Sequence, residues 1–123
     1  MWVHTSLLTL AECTHIRDEN GIRIITDEVK DHIEILLSPE RGVMPIEPSI
    51  FVIDKARELA WQHGIFLKGS DALHVATAVF TGCQEFLTSD KRIKAEERKA
   101  LAEKLGLRLC SPRETSLLPD RYR

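Results

Sequence analysis

Glu12, Asp71 and Asp90 are the residues whose type and placement could do chemistry. Glu12 is expected in the first turn of a helix after the Val3–Leu8 stretch, and Asp71 at a helix start after Lys68-Gly69-Ser70. Asp90 stands where an extended Phe86–Ser89 segment gives way to a further helix. Oxygen-only carboxylate clusters suit Mg²⁺ or Mn²⁺, which keep several waters and bridge to substrate phosphate. Such an ion activates water and stabilises charge on a phosphodiester during displacement. Each residue also has a purely structural reading. Thr9-Leu10-Ala11-Glu12 has the form of a capping box, Asp71 beside Ser70 complements a helix dipole, and Asp90 is an acceptable N-cap before Lys91.

Other chemistries find less support. The five histidines form no H-E-x-x-H or comparable spacing, and the six glycines form no phosphate-cradling loop. His74 lies one helical turn beyond Asp71; with Thr77 and Thr81 it reads most simply as the least buried stripe of its helix. Cys13, Cys83 and Cys110 are odd in number and widely spread, which argues against a disulfide framework and for a reducing, cytoplasmic setting. A net charge of −2 argues against bulk positive charge as the grip on nucleic acid or membrane. The basic run Lys91, Arg92, Lys94, Arg98, Lys99 and Lys104 is interleaved with Glu96, Glu97 and Glu103, as on a solvated helix face. No apolar run is long enough to span a bilayer, and the start lacks the pattern of a signal peptide.

These groups need elements to position them. At 123 residues, with 43% apolar and 29% charged residues, the chain fits one globular domain. Leu8, Leu10, Ala11 and Ile16 have near-helical spacing, with Asn20-Gly21 as a left-handed stop. Thr26 caps a second helix with Val29, Ile33, Leu36 and Leu37 on one face, running until Pro39. Arg41–Ile46 reads as a strand, and Pro48-Ser49 opens a long helix closed by Gly64. The Asp71–Thr81 helix is apolar nearly all round and therefore central. A strand over 85–89, a charged helix over 91–105 and a strand over 107–110 follow, and residues 112–123 read as a tail. The alternation predicts an α/β fold with a mainly parallel sheet and helices on its faces, whose functional crevice lies beyond the carboxyl ends of the strands.

The stretch Ser70-Asp71-Ala72-Leu73-His74-Val75-Ala76-Thr77-Ala78, followed by Phe86-Leu87-Thr88-Ser89-Asp90-Lys91-Arg92, resembles the C-terminal half of PIN-domain nucleases. The family's VapC-like toxins carry a D-A-L-H-x-A-T-A helix and then an apolar strand ending in T-x-D. Thr5-Ser6-Leu7-Leu8-Thr9-Leu10-Ala11-Glu12 is similar to the family's T-S-x-L-T-x-x-E segment, and the resemblance covers most of residues 3–111. It implies a PIN-like three-layer fold over residues 1–111 and a Mg²⁺- or Mn²⁺-dependent endoribonuclease, usually the toxin of a toxin–antitoxin pair. It further implies Glu12, Asp71 and Asp90 as metal ligands and catalytic acids, with Thr88 orienting the last carboxylate or a water. Lys91 and Arg92 adjoin Asp90 and are expected to contact RNA phosphates.

The family's first acid comes from an N-terminal strand in a segment like V-D-T-S, and no such segment precedes Val3. The expectation is an N-terminally truncated PIN-like chain with an open slot in its parallel ladder and impaired catalysis on its own. An exposed ladder edge invites self-association, strand swapping or capture of a partner such as the cognate antitoxin. A rival reading is a non-catalytic PIN-like interaction protein that binds an antitoxin or itself, favoured by the apolar Ile22, Ile24, Ile25 region. A receiver-like phosphoacceptor domain ranks last, because Asp90-Lys91 puts its acid and its lysine on one strand.

Overall fold

The computed structural model describes residues 3–118 of the chain. It comprises two compact units, Met1–Glu47 and Pro48–Arg123. The first holds β1 (Val3–Ser6), α1 (Leu8–Glu12), β2 (Ile16–Arg17), β3 (Arg23–Ile24), α2 (Asp27–Leu36) and β4 (Val43–Ile46). The second holds α3 (Ile50–His63), α4 (Gly69–Phe80), β5 (Glu85–Leu87), α5 (Glu96–Glu103) and β6 (Arg108–Cys110).

In the first unit β1 pairs with β4 in parallel, Val3 opposite Val43 and Ser6 opposite Ile46. Parallel neighbours need a crossover, and α1, the hairpin and α2 supply it. Thr26 caps α2 as its sequence predicts: Oγ1 accepts the Val29 N–H at 3.1 Å. Asp27 and Glu28 in the first turn then complement the helix dipole. Pro39 begins a short 3₁₀ turn through Arg41, and the strand that follows starts at Val43, two residues later than its sequence predicts.

The segment after Leu8 departs from the expected single helix. α1 ends at Glu12, and β2 and β3 pair antiparallel with Ile16 opposite Ile24. Asn20-Gly21 therefore turns a hairpin instead of stopping a helix. The reason lies in Asp18, whose Oδ1 accepts the N–H groups of both Asn20 and Ile22 at 2.9 Å. Gly21 sits at φ 77°, a conformation that glycine takes at no steric cost, so one dipeptide serves equally well in either structure.

The second unit contains the core. Val52 and Leu59 of α3, Ile65, and Val75, Ala76 and Ala78 of α4 pack with Ile93, Ala102, Leu107 and Leu109. Small side chains in the middle of α4 allow other elements to approach it closely. This is the central helix anticipated from its sequence, with one correction. Thr77 is buried, not on the exposed stripe, and its hydroxyl donates to the Leu73 carbonyl at 2.7 Å. That local bond satisfies the polar atom, so burying it costs little.

β5, α5 and β6 form a β-α-β unit in which β5 and β6 pair in parallel, Phe86 opposite Leu109. Two parallel ladders flanked by helices give the chain its α/β character. α5 begins at Glu96, five residues later than Lys91, because residues 91–94 form a turn instead. Beyond β6 the chain folds back: Thr115 is 1% exposed, and its hydroxyl donates to the Glu85 carboxylate. Arg108 Nη1 reaches the other oxygen of that carboxylate at 2.8 Å.

Candidate functional site

The exit of β5 positions Asp90 through a chain of short contacts. Thr88 donates its N–H to the Cys110 carbonyl at 2.9 Å, which ties it to the end of the β5–β6 ladder. Thr88 Oγ1 in turn accepts the Asp90 N–H at 3.0 Å. The Asp90 carbonyl accepts the Lys94 N–H at 3.2 Å, and Ile93, buried in the core, anchors the turn. The carboxylate of Asp90 then accepts from Arg92 three times. The Arg92 backbone N–H lies 2.8 Å from Oδ1, Nε 3.3 Å from the same oxygen, and Nη2 3.0 Å from Oδ2.

These bonds set the electrostatics. The Arg92 side chain, hydrogen-bonded to Asp90, holds that carboxyl below the usual carboxylate range, and the Arg92 backbone N–H adds to the effect. Reciprocally, the hydrogen bond that Arg92 donates to Asp90 raises the guanidinium above its ordinary value, and the charges of Asp90 and Asp71 raise it further. Asp71 lies half-buried in the first turn of α4, its N–H donating to the Lys68 carbonyl at 3.1 Å. Of the two candidate acids in the second unit, Asp90 pairs directly with this guanidinium.

The structural alternatives weighed for these acids fare differently. Asp90 caps no helix; its Oδ1 closes the 91–94 turn. Asp71 does occupy a first helical turn, although Lys68, not Ser70, is the N-cap and provides no side-chain cap bond. Glu12 belongs to the first unit, where it is exposed and is the last residue of α1, not part of its first turn. The capping box does not form, since Leu7 is the N-cap and the Thr9 hydroxyl pairs with that of Thr5 at 2.7 Å. Among the described residues no group of three His, Cys, Asp or Glu side chains is arranged to hold a metal ion. Lys91 is exposed, as a phosphate-contacting side chain must be, and His74 is half-buried on α4. The role of Arg92 as partner of Asp90 was not read from the sequence. The signal was present: a donor two residues after an Asp in a turn is where that carboxylate can reach.

Parallel strands crossed over by helices, with Asp90 after a strand and Asp71 in the first turn of a helix, are an α/β arrangement. The family model of the PIN domain matches residues 3–99, and the chain belongs to that family. No curated protein and no solved structure matches it. Membership carries a nuclease-type function, and PIN domains generally use divalent metal ions. Asp71 and Asp90 are carboxylates, the oxygen donor type that Mg²⁺ takes, but the described residues do not gather them into a metal-holding group. Among the described residues no helix is long and apolar enough to cross a membrane.

Proposed function

We propose that this chain is a metal-dependent endoribonuclease and that it serves as the toxin of a toxin–antitoxin pair in the cytoplasm. What supports the reading is that the PIN-domain family model matches residues 3–99 and that Asp90 is held at the exit of β5 by the Thr88 hydroxyl. Mg²⁺ or Mn²⁺, when bound, would supply water activation and charge neutralisation at the scissile phosphodiester. Asp71 and Asp90 are the ligands the reading assigns. Thr88 fixes the backbone at Asp90 and so aims its carboxylate, while Lys91 and Arg92 stand beside it as exposed cations for flanking phosphates. With a net charge of −2, RNA is held by this local rim and weakens with salt.

The test is cleavage of a mixed RNA substrate in Mg²⁺ or Mn²⁺ by the full chain, compared with the Asp71→Asn/Asp90→Asn double variant. The expected result is a loss on the order of 100-fold in the variant, together with relief of growth arrest when the chain is expressed. Cleavage that survives in the double variant removes the carboxylate mechanism.

A second reading has its own observation. Ile16, Ile22 and Ile25 on and beside the hairpin are each at least half exposed, with Ile22 at 61%. They support a non-catalytic role in which this surface binds an antitoxin or a second copy of the chain. Association without any metal binding distinguishes that role from the first.

A further inference from the structure

The β2–β3 hairpin brings two guanidinium groups together. Arg17 stands directly opposite Arg23 in the antiparallel pair, so both side chains leave the same face, and Ile16 and Ile24 take the other. Like charges set opposite each other destabilise a ladder. Among the described residues no ion pair includes either arginine, whereas Arg92 and Arg108 each meet a carboxylate, at 3.0 and 2.8 Å. Asp18, the acid next to Arg17, turns its Oδ1 to the N–H groups of Asn20 and Ile22 instead. Arg17 is held in place from Nη1 to the Gly21 carbonyl at 2.8 Å, a bond that takes only one of its several N–H donors. Both arginines are exposed. Desolvation, and then the charges of Arg23 and Arg17, push the neighbouring His15 imidazole below its ordinary value, as a local concentration of positive charge should.

We propose that this hairpin face is a phosphate-binding surface, on which Arg17 and Arg23 grip the phosphodiester backbone of RNA. The substrate class comes from the function proposed above, but the surface uses residues of the first unit only and needs neither Asp71, Asp90 nor a metal ion. Two cations that repel each other in the unbound protein are relieved by an anion placed between them. Each guanidinium presents a planar fork that meets two phosphate oxygens at once, a geometry that a lysine pair would lack. With a net charge of −2 the chain exerts no bulk attraction on RNA, so binding depends on local groups of this kind. A nuclease-type function requires a polyphosphate chain to be held, which favours RNA over an acidic peptide as the occupant.

The experiment is fluorescence anisotropy of a labelled oligouridine with the full chain, in EDTA so that no metal-dependent cleavage intervenes. Arg17→Gln/Arg23→Gln is expected to bind roughly five- to tenfold more weakly than the wild type at low salt. Its plot of log affinity against log salt is expected to be flatter by about 1.4, the change for two phosphate contacts on a single strand. Lys104→Gln/Arg113→Gln, which removes the same charge from exposed positions of the second unit, is expected to stay within about twofold of the wild type. Arg23→Gln alone, which keeps the bond from Arg17 to Gly21, is expected to lose part of the affinity yet melt no lower than the wild type, because it relieves the like-charge pair. Equal binding by the hairpin double variant overturns the inference, as does an equal loss in Lys104→Gln/Arg113→Gln. A polyglutamate peptide that binds as tightly through the same arginines overturns it in favour of a protein-docking face. Inorganic phosphate that moves the Arg17 and Arg23 Nε–H resonances while oligouridine fails to bind overturns it in favour of a small-anion site. If oligouridine binding needs both arginines but the chain cleaves no RNA in Mg²⁺ or Mn²⁺, the endoribonuclease reading fails and the phosphate-binding surface stands.

Discussion

Thr88 Oγ1 accepts the backbone N–H of Asp90 at 3.0 Å, so the side chain of one residue fixes the peptide that aims the other. Thr88→Val preserves the shape of the residue and deletes the acceptor. Such a change is expected to cost about 0.5–1.5 kcal/mol of stability, the range for one hydrogen bond. On the proposed metal-dependent mechanism it should reduce cleavage by roughly tenfold or more, the range for residues that orient a metal ligand. Thr88→Ser, which retains the oxygen, should stay near wild type in both thermal melts and cleavage assays. A valine variant that cleaves as well as the serine variant would show that the bond has no part in aiming Asp90.

The segment after β6 supplies a pH prediction. The Ser111 N–H donates to the Glu114 carboxylate at 2.8 Å and holds that carboxyl below the usual range; the charges of Lys94, Lys99 and Arg108 act in the same direction. A carboxyl whose value is depressed by folding contributes its full stabilisation above the ordinary carboxylate range. That contribution is lost as the pH falls through the lowered folded value. The melting temperatures of wild type and Glu114→Gln should therefore differ most at neutral pH and converge in acid. Calorimetry over that range checks the sign, and a gap that widens on acidification contradicts it.

The cysteines should separate by reactivity. Cys13 is exposed, whereas Cys110 is fully buried, and burial together with the nearby Glu85 charge pushes its thiol above the ordinary value. The thiolate is the reactive form, so both access and ionisation slow Cys110. Iodoacetamide labelling followed by mass spectrometry should find Cys13 modified first and Cys110 modified only under unfolding conditions. Early labelling of Cys110 in the native protein would mean that β6 opens readily.

Much of the architecture was legible in the residues because it depends on local rules. Thr26 as a cap, Gly64 as the left-handed end of α3, and the small and apolar residues of α4 each act over a few positions of chain. The acids Asp71 and Asp90 were legible as candidates for the same reason, since strand exits and helix starts are readable from pattern. Where one residue pair satisfies two structures, pattern alone cannot choose. Asn20-Gly21 fits a helix stop and a hairpin turn alike, and the Asp18 bonds to Asn20 and Ile22 fixed the hairpin.

The sequence by itself determined the family, the helices with clear caps and the residue types available for chemistry. Only the tertiary structure decided that Thr77 is buried, that Thr115 packs beneath Glu85, and that α5 waits until Glu96 while Asp90 closes a turn on Arg92. The physical reason is that capping and periodicity are set by neighbours in the chain. Burial and charge pairing depend on which surfaces meet, and the anchoring of Ile93 in the core, not local propensity, holds the 90–94 turn against the helix that its sequence would otherwise form.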